Sequence, residues 1–285
     1  MYATVVRLSA AIVILTGFLM ASSGEVTAES LGVKSEPVRV LRAELTQGGY
    51  LIGQVSKGHQ VSFLEKPVKV NQFGQFIIGF GRDFQGPAEV MVVSKNEQLK
   101  QRFEVAVRDY RIERIDGLPK SKVSPKKPEV LARIVRETQQ VKEARSVTSE
   151  LEFFKQIFIS PAEGRISGYY GSQRVLNGEP KRPHFGEDIA APVGTPVVAP
   201  ASGKVVLVHP DMFYSGATII IDHGLGLNST YLHLHKTHVK EGQSIKQGEL
   251  IGEIGQSGRA TGPHLDWRLN WHDQRLDPAL FVKRK

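Results

Sequence analysis

His264-Leu265-Asp266-Trp267-Arg268-Leu269-Asn270-Trp271 alternates polar and apolar residues without interruption, which is the signature of a half-buried β-strand. Thr261-Gly262-Pro263 halts the chain just before it. His264 and Asp266 then share one face, while Leu265 and Trp267 anchor the other face in a core. Upstream, Tyr231-Leu232-His233-Leu234-His235 alternates in the same way and places His233 and His235 on a single face. A third polar cluster, His184-Phe185-Gly186-Glu187-Asp188, puts a nitrogen and an oxygen ligand four residues apart. Pro183, Gly186 and Pro192 argue against a helix there. A straight strand would hold the two side chains roughly 13 Å apart, so the backbone must bend to bring them together. Gly186 is the natural site of that bend.

His184-x-x-x-Asp188, Tyr231-Leu232-His233-Leu234 and Gly262-Pro263-His264-Leu265-Asp266 resemble the three signatures of lysostaphin-type (LytM-like) zinc metalloendopeptidases of bacterial cell walls. The resemblance runs from about Ser160 to Pro278 and includes Arg165-Ile166-Ser167-Gly168-Tyr169-Tyr170-Gly171, Val239-Lys240-Glu241-Gly242-Gln243 and Gly248-Glu249-Leu250-Ile251-Gly252. It implies that His184, Asp188 and Asp266 hold the metal, that His264 is the general base and that His233 is the second catalytic histidine. It also implies an open antiparallel sheet with a cleft across one face, and peptidoglycan as the substrate. One position departs from the pattern. The family reads His-x-His in the last motif, whereas this chain has Asp266 in the second place, so two carboxylates instead of one face the divalent ion. That makes the site formally neutral, weakens the ion as a Lewis acid and lets Mn2+ or Fe2+ compete with Zn2+. Glu187 would deepen the effect if it faced the cleft.

The remaining chain reads as support. Short alternating runs between turn signals over 37–108 predict a small antiparallel β domain, sandwich or barrel, with Asn71-Gln72-Phe73-Gly74 as a hairpin turn. The Lys/Pro-rich stretch 120–128 marks a boundary. A helix follows it, opened by Pro128-Glu129 and carrying Val130, Leu131, Ile134, Val135, Val141 and Ala144 as its apolar stripe. Residues 109–157 are thus a helical linker, and 158–285 form the glycine-punctuated peptidase domain. The fold class is mostly β throughout.

Apolar residues make up 40% of the chain and charged ones 23%, the balance of an ordinary globular protein. Arg7 followed by an apolar run and by Val26-Thr27-Ala28 reads as a signal peptide, 1–28, cleaved on export to the periplasm or cell envelope. The run is too short for a stable membrane span. Cysteine is absent, which excludes both a disulfide framework and a lipidated cysteine. The net charge of +8 favours wall polymers and anionic surfaces. Nucleic acid is not an expected partner of an exported chain that has no interleaved aromatic and basic platform. Two readings follow: an active wall endopeptidase, or a degenerate relative that binds the wall and switches on a separate amidase.

Overall fold

The structure, a computed structural model, describes residues 36–95, 97–117 and 126–283. The expected signal peptide lies outside them, as does most of the 120–128 boundary. Residues from Glu36 onward form one compact unit.

Two antiparallel sheets build the N-terminal part, as the turn-rich runs predict. One holds β1 (Arg39–Glu44), β2 (Tyr50–Gln54) and β5 (Gln75–Gly79). The other holds β3 (Gln60–Phe63), β4 (Lys66–Val68), β6 (Ala88–Val93) and β7 (Gln98–Phe103). Asn71 does turn the chain, its Oδ1 accepting from the Phe73 and Gln75 amides. It does not close a hairpin, however, because β4 and β5 belong to different sheets. β8 (Ile112–Ile115) lies inside the stretch read as a helical linker. It pairs in parallel with β10 (Gln173–Leu176), which pairs in turn with β11 (Glu179–Pro180).

The helix α1 spans Pro128–Ser146, with proline in its first turn and Arg145 in its last. Its buried face differs from the expected stripe. Leu131 and Val135 are exposed, whereas Val141 and Ala144 pack with Leu207, Met212 and Ile220. Glu137 joins this face because it has partners there, accepting from the Phe213 amide at 2.8 Å and from Arg133 at 2.6 Å.

The C-terminal sheet has ten strands, all antiparallel. Its main path is β17 (Ser244–Ile245), β14 (Gly203–Met212), β15 (Gly216–Gly224), β16 (Leu227–Thr237), β19 (His264–Trp271), β12 (Glu187–Ala190) and β9 (Arg165–Gly168). β18 (Leu250–Ile254) pairs with β16 and with β13 (Pro196–Val198), and β20 (Gln274–Leu276) pairs with β19. The core is continuous with that of the N-terminal sheets. Tyr50 stacks on Phe281 at 4.0 Å, and Phe63 lies 6.3 Å from Trp271. A Cβ at Gly79 would strike Leu276 and Trp271. That close approach is why glycine stands there.

Candidate metal centre

β12 and β19 lie side by side in a register that sets Asp188 directly opposite Asp266, so the two carboxylates emerge on the same face. His184 precedes β12, and its backbone is pinned by exchange with the 171–172 turn: its amide donates to Ser172 and its carbonyl accepts from Gly171. The chain bends at Gly186, as expected. Side-chain clearance is a second reason for glycine there, because a Cβ would run into Asp266 and Arg268. One ligand atom from each of His184, Asp188 and Asp266 lies within 4.8 Å of the others, and all three residues are buried.

His184 Nε2 and Asp188 Oδ1 are 3.0 Å apart, yet both atoms are buried without a hydrogen-bond partner. Burying such groups unpaired is unfavourable by a few kcal/mol. Two unbonded donor atoms that converge with a second carboxylate are what a divalent ion needs, and a His/Asp/Asp set suits zinc and harder ions alike. The residues therefore fit a metal.

Two arginines attend the carboxylates, and neither was singled out in the sequence. Arg268 donates to Asp266 through Nε at 2.9 Å and Nη2 at 2.5 Å. Burial alone would push the Asp266 carboxyl up, but Arg268, helped by His184 and His233, holds it well below the usual carboxylate range. Arg174 donates to Asp188 Oδ2 at 3.0 Å and faces Glu113 across the β8–β10 pairing. The signal for Arg268 was present, since it continues the polar face of His264 and Asp266. Arg174 carried none, because its place depends on a parallel pairing with a distant strand.

His233 sits 4.8 Å from His264, ring centre to ring centre. It reaches the cleft by an irregularity in β16. Strict alternation from Leu232, which pairs with Asp266, would turn His233 toward the core. A left-handed backbone at His233, φ 64°, turns it back, so Leu232 and His233 both line the cavity while Leu234 enters the core. His235 is consequently exposed and does not share the face of His233, contrary to the alternation reading. Each catalytic candidate holds a backbone carbonyl through Nδ1: His233 to Ser257 and His264 to Gly262, both at 2.8 Å. In the neutral rings these Nδ1 atoms carry the proton, leaving Nε2 as an acceptor. Burial depresses the His233 pKa to about 4, with Asp266 opposing the shift.

Glu187 does not add charge to the cleft. It pairs with Trp267 on the opposite face of β12, where burial, then Asp277 and Asp188, raise its pKa to about 7. The cleft itself is a cavity of about 940 Å³ that holds His184, His233 and Asp266 together with Glu137, Val141 and Arg145 of α1. A pocket of about 70 Å³ adjoins it, lined by Asp188, His233 and His264.

Residues 182–278 match Peptidase family M23. A Pseudomonas aeruginosa crystal structure assigned to peptidase M23 is 32% identical and covers 84% of this chain and 95% of its own, at a TM-score of 0.65. Peptidoglycan DD-endopeptidase ShyA of Vibrio cholerae is 44% identical over 109 residues, 37% of this chain and 24% of ShyA. DD-carboxypeptidase/endopeptidase Mpg of Neisseria meningitidis is 39% identical over 115 residues, 40% of this chain and 26% of Mpg. The chain thus spans about a quarter of the length of these curated relatives. The likeness to the Pseudomonas protein extends well beyond the site-bearing segment, and with the mostly-β architecture and the buried His/Asp/Asp group it establishes that the chain belongs to peptidase family M23.

Proposed function

We propose that this chain is a zinc-dependent endopeptidase that hydrolyses peptide cross-links of peptidoglycan in the bacterial envelope, after export by the leader 1–28. The observation that carries this reading is the pair of buried, unbonded donor atoms on His184 and Asp188, converging with Asp266 beside two histidines. Relatives named as peptidoglycan DD-endopeptidases support the choice of substrate. Residues 158–285 are the hydrolytic domain in this reading, 37–108 a supporting β domain and 109–157 the connection between them.

His184, Asp188 and Asp266 would hold the ion, which when bound supplies Lewis acidity toward a carbonyl oxygen and acidifies water. His264 Nε2 takes a proton from the attacking water as the amide carbon is attacked, and returns it to the leaving nitrogen. His233, neutral down to about pH 4, has no proton on Nε2 to donate to an oxyanion. His233 is the second catalytic histidine, with its Nδ1 held by the Ser257 carbonyl and its Nε2 left as an acceptor.

The test is digestion of purified peptidoglycan by the mature protein with and without a chelator, alongside metal analysis. Release of cross-link peptides that a chelator abolishes and zinc restores is the expected result. A second reading, a wall-binding regulator that activates an amidase, is favoured by one feature: Arg268 engages both oxygens of Asp266. Protein that binds no divalent metal at neutral pH and releases no peptide would overturn the peptidase reading in favour of that alternative.

A further inference from the structure

The cavity beside the triad is also lined by Arg145 from α1 and Arg275 from β20. Their hydrogen-bond partners are neutral. Arg145 Nη2 donates to Thr230 Oγ1 at 2.8 Å, and its Nε is enclosed without a partner. Arg275 Nη1 donates to the Asn270 side-chain oxygen at 3.2 Å. Asp266 attracts both cations, but among the described residues the nearby carboxylates are already engaged by other arginines: Asp266 by Arg268, Asp188 by Arg174 and Glu137 by Arg133. The guanidinium groups also repel one another. Burial and then Arg275 and Arg268 drive Arg145 well below its ordinary value, while burial and then Arg268 and Arg182 lower Arg275 to about 10. A site that gathers like charges at this expense in stability is relieved by an anion, and the planar guanidinium matches a carboxylate best.

We propose that Arg145 and Arg275 form a subsite for a free carboxylate on the peptide substrate, close to the scissile amide, so that the protein selects acidic peptides over their neutral counterparts. The proposal rests on the peptidase reading for the kind of molecule that carries the carboxylate. It makes α1 a wall of the binding site, since Arg145 reaches the cavity only because the buried face of the helix docks on β14 and β15.

The test uses the full mature chain carrying His264→Ala, so that binding is read without turnover. Calorimetry compares a synthetic peptide bearing a free carboxylate on the residue after the amide with its carboxamide twin. The carboxylate peptide should bind at least about tenfold tighter, the scale of a charge-assisted hydrogen bond. Adding Arg145→Gln and Arg275→Gln should erase that preference, bringing the carboxylate peptide down to the affinity of its carboxamide twin, whereas Arg145→Lys with Arg275→Lys should keep part of it. Equal affinity for the two peptides overturns the proposal, and so does a preference that survives the double glutamine change. Should that variant not fold, the peptide pair on the parent decides alone. If the preference holds but protein with His264 intact cuts neither peptide, the subsite stands and the endopeptidase reading falls.

Discussion

Asp266 and Arg268, two residues apart on one face of β19, form a bidentate ion pair in which every carboxylate oxygen of Asp266 meets a guanidinium nitrogen. Arg174 does the same for one oxygen of Asp188. The sequence alone suggests a formally neutral metal site, with two carboxylates against a divalent ion. An arginine is hydrogen-bonded to each carboxylate and would neutralise part of the negative charge that a divalent ion would meet there.

Removing Arg268 strands a buried carboxylate. Breaking one side of such a pair is unfavourable by about 3 kcal/mol, or roughly 6–12 °C in melting temperature for a domain of this size. Arg268→Gln should therefore lower the melting temperature of chelator-treated protein. Added zinc, which supplies the missing positive charge, should raise it by more than it raises the parent. Differential scanning calorimetry with and without metal checks both halves, and equal metal-induced rises would show that Arg268 does not shield Asp266.

Asp266→His restores the histidine usual in the family, yet it leaves Arg268 partly buried without its acid. The single change should destabilise the fold and give little activity. Asp266→His combined with Arg268→Leu should recover stability. A double-mutant cycle by urea unfolding should return a coupling energy of about 0.5–3 kcal/mol, the range for contacting residues. Additive effects would show the two positions to be independent.

His264 and His184 should separate cleanly. If His264 moves protons without holding metal, His264→Ala keeps zinc while the rate falls by about 10²–10⁴-fold. His184→Ala removes one of the three residues proposed to hold the metal and should release it. Elemental analysis of both dialysed variants, beside a peptide-cleavage assay, distinguishes the roles. Loss of zinc from the His264 variant would make it a ligand.

Two buried histidines and the half-buried Glu187 give stability a pH dependence of two signs. His223, held between the Ser202 carbonyl and the Ser229 hydroxyl, is lowered by burial to about 4, as is His233. Unfolding raises such a pKa back toward about 6.5. The unfolded chain therefore binds the proton first, and the stability these histidines contribute above pH 6.5 is lost as pH falls toward 4. Glu187 works oppositely. Its pKa of about 7 exceeds the unfolded value, so its contribution is full below about pH 4.3 and is lost as pH rises through 7. Glu187→Gln should match the parent near pH 4 and exceed its stability at pH 7–8 in urea unfolding. Identical curves at every pH would place Glu187 in contact with water.

Local pattern alone determined much of this protein. Period-two alternation put His264, Asp266 and, with the same logic, Arg268 on one face of a strand. The prolines and Gly186 excluded a helix between His184 and Asp188, and Pro128-Glu129 marked where α1 begins. These are properties of a few neighbouring residues, and a strand or a cap needs no more. What pattern could not reach is everything that depends on a partner far along the chain. Alternation assigned His233 and His235 to one face, but the left-handed residue at His233 breaks the period, and nothing in the side chains announces it. Of the apolar stripe of α1, Val141 and Ala144 pack as the pattern predicts, but Leu131 and Val135 stay exposed, and Glu137 joins the buried face through its hydrogen bonds to Phe213 and Arg133. Arg174 and Arg145 enter the cleft only through the β8–β10 pairing and the docking of α1. Sequence therefore named the five residues that resemble a metallopeptidase site and held Arg268 beside Asp266 on one strand face, whereas tertiary structure decided the rest of their charge environment, because Arg174 and Arg145 are brought there by folding in space and not by order in the chain.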